Sequence, residues 1–500
     1  MRSKKALLNI SILLVLRVIA IVSGLIVPRL IISTYGSDIN GLMVAVNQFM
    51  GYIVLMELGV GGVIRASLYK PLSSKNIEKV SGILKAAQSF FRVVAGIFIV
   101  YITVLALIFP KIVESDFSTL FIVSFVFIIG ASSFFQYFFG ITYQILLQAD
   151  QRQYIISLFQ ILTLILNTFL IVILVNMGFS IHFVIFGSAV IFTLRPILLN
   201  LYVKKKFRII QDIQADKKAI NQKWDGLGHH IAFLLHNNTD VALITYFVSL
   251  KEVSVYSIYY MIVSSIQSLT VTFASGLEAA FGNMIANKEK TALERNFNLF
   301  EFIIYTITSI LFSSLALLIL SFIELYTISF SDADYYRPLF AYILIISGGL
   351  YCIRVPYSSV VLAAGHYKQT KNGAYLEAII NIVISLILVK SLGIIGVALG
   401  TLSAVLIRTI QYAVYLSKNI IKRSIWFFYK RIIVYSINIT VIIIFALNFM
   451  DYSVDSYKQW LVSAILTVII SIAFTAITNI LFYFKDIKLF ISVIKKVFKR

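Results

Sequence analysis

The chain has 500 residues, of which 60% are apolar and only 13% are charged. Soluble proteins carry about 25% charged residues, and a mean hydropathy of +0.92 leaves too little polar surface to cover a soluble core. The composition therefore excludes a soluble enzyme, a disordered scaffold and a secreted disulfide domain, and it predicts a polytopic membrane protein. The net charge of +21 is divided among short basic clusters between apolar runs, which favours an anionic leaflet over nucleic acid as the partner.

Fourteen apolar runs approach or exceed the roughly 20 residues that a bilayer-spanning helix needs. They lack the alternation of strands, and a helix satisfies its own backbone within each segment, so we predict an all-α fold. In chain order the predicted spans are 7–33, 41–66, 85–109, 119–147, 154–176, 180–203, 226–249, 254–285, 297–323, 338–364, 373–390, 393–418, 431–449 and 459–483.

The loops between these spans alternate between basic and acidic, so the positive-inside rule places both termini in the cytoplasm. The 204–225 stretch divides the chain into two sets of six spans. Each set begins with a helix that runs away from the cytoplasm, a short turn with an acidic residue and a helix that runs back, which favours a parallel repeat of two six-helix lobes. The predicted domains are an N-terminal lobe (1–203), a cytoplasmic inter-lobe loop (204–225), a C-terminal lobe (226–418), a final helix pair (431–483) and a basic amphipathic cytoplasmic tail (484–500).

Several charged residues lie inside predicted spans, where an ionisable group costs about 2.5–3.5 kcal/mol on insertion scales. Arg17 lies near the centre of the first span and Arg29 follows Pro28. Their spacing places them within about 120° of each other on a helix, compatible with one cavity wall. Arg354 precedes Pro356 in the tenth span, and such proline breaks are tolerated where they line a cavity. For Arg17, a cavity function and a structural ion pair both remain open.

The seventh predicted span is the most polar, and His236 and Asp240 share one of its faces. The pair supplies too few ligands for a zinc site, so we predict no metal. A role in coupling to H⁺ or Na⁺ and a plain interhelical contact remain open. Glu57 and Glu278 lie nearer the predicted cytoplasmic face, where an ion pair within a lobe, a helix-end role and a substrate contact are all open.

No catalytic constellation accompanies these charges. The sequence contains no Walker loop, dinucleotide fingerprint, zinc-protease helix or nucleophile elbow. We therefore expect a protein that is not an enzyme and has no cofactor, and whose energy comes from an ion gradient or from the substrate's own gradient.

Several stretches resemble oligosaccharide flippases of the Wzx type, in the superfamily that also contains multidrug extruders and the lipid II flippase. They are RLIISTYGSDING from Arg29 followed by ELGVGG from Glu57, HHIAFLLHNNTD from His229, RVPYSSVVLAAGH from Arg354 and GIIGVALGT from Gly393. The resemblance covers nearly the whole chain, but its motifs are loose strings of small and apolar residues.

The resemblance implies a protein of the bacterial cytoplasmic membrane with a MATE-like fold, in which two six-helix lobes enclose a central cavity. It implies transfer of undecaprenyl-diphosphate-linked oligosaccharide units to the outer leaflet for O-antigen, capsule or exopolysaccharide synthesis, with a polysaccharide polymerase and assembly proteins as further partners. Arg17, Arg29 and Arg354 are the residues available to hold the diphosphate. A cation-coupled multidrug extruder of the same fold is the alternative, and a non-transporting scaffold is a third reading.

Overall fold

The computed structural model describes residues 2–210, 212–216, 239–275 and 278–498. Within these ranges every regular element is helical, which confirms the predicted all-α membrane fold. The chain divides into two compact units, residues 1–254 and 255–500.

In the first unit, two departures from regular α-helix interrupt predicted spans. One break is a turn at Tyr52 and Ile53, and the other is a π-helical turn, Gln136–Gly140. Residues 239–247 are also helical. The remaining helices are α1 (Arg2–Tyr35), α2 (Ser37–Gly51), α3 (Val54–Ser73), α4 (Ile77–Ile112), α5 (Thr119–Phe135), α6 (Ile141–Ala149), α7 (Gln153–Asn176) and α8 (Ile181–Lys206).

The second unit contains the other helices, of which the first begins at the end of the first unit. Its long helices match the predicted spans closely. They are α9 (Leu250–Ser275), α10 (Glu278–Ala286), α11 (Lys290–Thr327), α12 (Pro338–Ala363), α13 (Tyr367–Leu392), α14 (Ile394–Asn419), α15 (Trp426–Phe449), α16 (Tyr457–Phe482) and α17 (Phe484–Phe498).

Eleven helical segments of the described chain are long and apolar enough to cross a membrane. Three of the fourteen predicted spans are not among these eleven segments. Span 41–66 is divided between α2 and α3, and most of span 226–249 lies outside the described residues. Span 254–285 is divided between α9 and α10, and neither is among the eleven.

The helix α16 shows the residue distribution expected of a membrane surface. Its outward face carries exposed isoleucine and leucine, while its buried side chains are small or polar. Because four residues make about one turn, these buried positions form one face. They are Thr467, Ser471, Thr475 and Asn479.

This polar face packs the final helix pair against α11 within the second unit. Asn438 of α15 donates to Ser309 Oγ of α11 at 2.8 Å and to Thr475 Oγ1 at 3.0 Å. Ser313 Oγ of α11 donates to Ser471 Oγ at 3.0 Å. Since lipid offers no hydrophobic driving force between helices, such bonds and close packing hold the pair in place.

The first unit extends past the predicted inter-lobe loop, because residues 239–254 pack within it. Asn40 of α2 donates to Ser254 Oγ at 2.8 Å. A Cβ at Gly41 would overlap the Leu250 carbonyl oxygen, so only glycine permits this approach of α2 to the start of α9. The predicted domain bounds themselves stay a prediction.

Candidate functional site

One face of α1 is fixed against α7. Asn9 Oδ1 accepts from the Tyr154 backbone N–H at 2.8 Å, and the hydroxyls of Ser23 and Thr168 lie 2.7 Å apart. Leu16 is buried between these two points. Because Asn9, Leu16 and Ser23 recur every seven residues, they define the contact face of the helix.

Arg17 lies off this contact face, near the middle of the 34-residue helix. It is exposed, and none of the side chains that the structure describes forms an ion pair with it. Arg29 is half-buried and does have an interaction partner. A guanidinium on a membrane-spanning helix must reach water or an anion, so the position of Arg17 suits contact with an anionic group.

The turn between α2 and α3 contains a tyrosine, Tyr52, on which the charge of Asp240 acts. Asp240 is 6% exposed, and its charge acts on the Tyr52 hydroxyl. Nearby, the Tyr101 hydroxyl donates to the Phe49 carbonyl oxygen at 2.7 Å. The electrostatic effect of the predicted coupling residue Asp240 therefore reaches the turn between α2 and α3, while its predicted companion His236 falls outside the described residues.

Arg354 belongs to a buried ion cluster in the second unit, which we call the Glu377 cluster (Arg354, Glu377 and Arg408). Arg354 Nη1 of α12 lies 2.6 Å from Glu377 Oε1 of α13, and Arg408 Nε of α14 lies 3.5 Å from Glu377 Oε2. Their side chains are 5–11% exposed. Because two arginines share one carboxylate, the three side chains carry a net charge of +1.

Three hydrogen bonds and the space left by a glycine hold Arg408 in this cluster. Its guanidinium donates to the Thr370 carbonyl at 2.9 Å, to Gln411 Oε1 at 2.6 Å and to the Tyr412 hydroxyl at 2.8 Å. A Cβ at Gly373 would overlap Arg408 Nη1. The glycine therefore leaves the space that the guanidinium occupies.

A second buried group, which we call the Glu301 cluster (Glu301, Arg423, Arg431 and Asp486), is electrically neutral. Glu301 is fully buried, with Arg423 at 2.8 Å and Arg431 at 3.0 Å, and Arg431 also lies 2.8 Å from Asp486. Tyr357 donates to Glu301 as well. Burial alone would lower the pKa of Arg423, but its hydrogen bond and charge contact with Glu301 raise that pKa above its usual value. Arg423 therefore remains charged in the cluster.

Glu301, Glu377 and Arg408 are functional or structural candidates that the sequence analysis does not single out. Each interrupts an apolar run within a predicted span, which is the same signal that identifies Arg17. Their pairing could not be read from spacing, because Glu377 is 23 residues from Arg354 and Arg423 is 122 residues from Glu301. The side chains of Glu57 and Glu278, predicted to form lobe ion pairs, lie outside the part of the chain that the structure describes.

Comparison with solved structures shows which fold these helices form. The chain is similar to a structure entitled "Lipid II flippase MurJ, inward closed conformation", with 15% identity, 95% of this chain and 99% of that chain covered, and a TM-score of 0.73. It is also similar to an inward-facing multidrug resistance MATE family transporter of the MOP superfamily, with 13% identity, 82% and 97% covered, and a TM-score of 0.60.

The Vibrio cholerae MATE transporter VcmN in its bent form gives 17% identity, 83% and 97% covered, and a TM-score of 0.54. No protein-family model and no curated protein sequence matches the chain. At these identities the comparison establishes the fold. The chain has the polytopic helical fold shared by the lipid II flippase and the MATE transporters.

Proposed function

We propose that this protein is a flippase that moves undecaprenyl-diphosphate-linked oligosaccharide units from the inner to the outer leaflet of the bacterial cytoplasmic membrane. It works by alternating access, with both termini in the cytoplasm. The product feeds synthesis of O-antigen, capsule or exopolysaccharide, so a polysaccharide polymerase and assembly proteins are its further partners.

The observation that carries this proposal is the exposed guanidinium of Arg17 near the middle of α1. A diphosphate cannot cross hydrocarbon unpaired, and a guanidinium makes bidentate, charge-assisted hydrogen bonds to phosphate oxygens. Arg29, on the same helix, is the second residue to which we assign diphosphate contact. The lipid tail can stay in the bilayer while the charged headgroup is carried.

The Glu377 cluster supports an anionic substrate in the second unit. The cluster carries a net charge of +1, and Arg354 is 11% exposed. A diphosphate could therefore replace Glu377 as the partner of Arg354. Arg408, held by three hydrogen bonds of its own, would then keep Glu377 paired. We therefore assign Arg354 a contact that forms and breaks during transport.

A strain lacking this gene, complemented with variants, tests the proposal. Loss of the protein should leave lipid-linked repeat units on the inner leaflet and stop glycan export. Arg17→Gln should behave like the deletion and Arg17→Lys should restore export only in part, since lysine supplies charge without the guanidinium fork. Lys111→Gln, which removes an exposed charge at the end of α4, is the matched control and should export normally.

Membrane abundance separates binding from a structural ion pair. If Arg17 holds substrate, Arg17→Ala should reach the membrane at the normal level. If Arg17 instead pairs with Glu57, its loss leaves an unpaired carboxylate and lowers abundance, and the double change with Glu57→Ala should recover it. Normal export by well-inserted Arg17→Gln would contradict the substrate role.

A further inference from the structure

A pocket in the first unit is formed by helices other than α1. Its volume is about 610 Å³, within the range of about 300–1,000 Å³ typical of small-molecule sites. Its walls come from α4, the π-helical turn with α6, the end of α8 and the segment that follows α8. That segment is fixed to α4, because the Ile210 N–H donates to Ser81 Oγ and the Asp216 N–H to the Gly82 carbonyl, both at 3.0 Å. We call this the α4 pocket.

The described lining of the α4 pocket carries only positive charge. Lys85, Arg92 and Lys204 contribute to it, and no aspartate or glutamate does. Lys85 and Arg92 are seven residues apart and therefore share one face of α4. The Arg92 guanidinium also lies 5.5 Å from the centre of the Phe138 ring. This arrangement attracts an anion.

Two uncharged groups add one hydrogen-bond donor and one acceptor to the lining. Gln88 Nε2 donates to the Tyr143 hydroxyl at 3.0 Å, which leaves the phenolic hydrogen available to an acceptor. Asn200 Oδ1 is buried and has no hydrogen-bond partner among the described residues. Since buried acceptors are nearly always satisfied, a donor such as a ligand hydroxyl is expected there.

We propose that the α4 pocket binds a phosphorylated polyol, with the phosphate held by Arg92 and Lys204 and a hydroxyl donating to Asn200. Two sources have this chemistry: the headgroup of phosphatidylglycerol and free glycerol phosphate. Phe138 and Phe139, which line the same pocket, are 36% and 38% exposed and offer an apolar edge to acyl chains. The site is independent of the diphosphate contacts assigned to Arg17, Arg29 and Arg354.

Binding to the full-length protein in phosphatidylcholine nanodiscs tests the proposal. Calorimetry with glycerol 3-phosphate forms one arm, and native mass spectrometry of phosphatidylglycerol retained from a mixed membrane forms the other. The double change Arg92→Gln with Lys204→Gln should weaken binding about tenfold or more, since each charge-assisted bond is worth at least that ratio. The double change Lys111→Gln with Lys458→Gln removes the same charge from exposed positions and should leave binding within about twofold.

Asn200→Ala distinguishes a polyol from a bare anion. It should weaken binding of glycerol 3-phosphate while leaving the affinity for inorganic phosphate unchanged. Retention of the lipid alone identifies the headgroup as the source, and saturable binding of the free compound alone identifies a soluble ligand. Absence of saturable binding to the wild-type protein in both arms, or unchanged binding by the Arg92→Gln, Lys204→Gln protein, would overturn the proposal.

Discussion

The second unit contains two clusters of buried charged residues, which differ in net charge. The Glu301 cluster contains two acids and two arginines and connects α11, the 420–425 segment, α15 and α17. The Glu377 cluster contains one acid for two arginines. A neutral cluster is complete by itself, whereas an excess positive charge can accept an anion. We therefore assign the first to stability and the second to substrate contact.

Replacing Glu301 tests the structural assignment. Glu301→Gln leaves Arg423 and Arg431 close together without their shared carboxylate, and removing one partner of a buried ion pair costs about 3–5 kcal/mol. The thermal unfolding midpoint in detergent should fall clearly. Glu324→Gln, an exposed change on the same helix, should leave the midpoint nearly unchanged, and equal midpoints for the two variants would refute the assignment.

The predicted coupling role of Asp240 gives a second test at this scale. Asp240→Asn removes the charge that acts on Tyr52, so transport should lose its dependence on pH or Na⁺ while the protein stays inserted. Asp38→Asn, which alters a solvent-accessible contact with Lys251 at 3.8 Å, should keep that dependence. If Asp240→Asn retained the wild-type dependence, Asp240 would be a structural contact only.

The helix α16 packs against its neighbours through polar and small residues. The buried face of α16 consists of threonine, serine and asparagine, and Asn438 of α15 bonds to both neighbouring helices. Its carbonyl oxygen also accepts from Thr478 at 2.8 Å. Asn438 therefore joins α11, α15 and α16 in one position.

Removal of this side chain should loosen the final helix pair. Interhelical hydrogen bonds in membranes average about 0.6 kcal/mol and reach about 1.7 kcal/mol, so Asn438→Ala should cost about 1–3 kcal/mol for its three bonds. Reversible unfolding in mixed micelles measures this value. Asn448→Ala on the same helix, where the amide donates within its own helix to the Ile444 carbonyl, is the control, and an equal loss of stability there would count against the packing role.

Hydropathy predicts most of these elements well, because length and apolar content determine which segments can span a bilayer. Span 154–176 corresponds to α7 (Gln153–Asn176), and span 459–483 corresponds to α16 (Tyr457–Phe482). Hydropathy does not detect the turn at Tyr52 and Ile53 or the π-helical turn at Gln136–Gly140, since neither contains a charged residue that would interrupt an apolar run. Those breaks depend on backbone hydrogen bonding rather than on composition.

For the whole molecule, the sequence predicts the fold more fully than the site. The pattern of spans and the resemblance of motifs point to the fold that the solved structures share. The partners of Arg354 come from α13 and α14, and a single sequence does not specify which helices become neighbours. Arg17 could be chosen from its place in an apolar run, but its exposure is a property of how α1 packs against α7.

Membrane orientation is the prediction that concerns the whole chain. Cys352 is buried, so introduced cysteines can be labelled above a low background. An impermeant reagent should label Asp451→Cys in intact cells. It should label Asp212→Cys only after the membrane has been permeabilised. Labelling of Asp212→Cys in intact cells would reverse the predicted cytoplasmic position of the 204–225 loop.

A reconstituted transport assay tests the central claim most directly. Purified protein in liposomes should move a fluorescent undecaprenyl-diphosphate-linked oligosaccharide across the bilayer, and Arg17→Gln should abolish that movement while reconstituting at the wild-type level. A cationic dye should not be transported by either protein. Transport of the dye with no movement of the lipid-linked oligosaccharide would contradict the flippase account and favour a cation-coupled extruder.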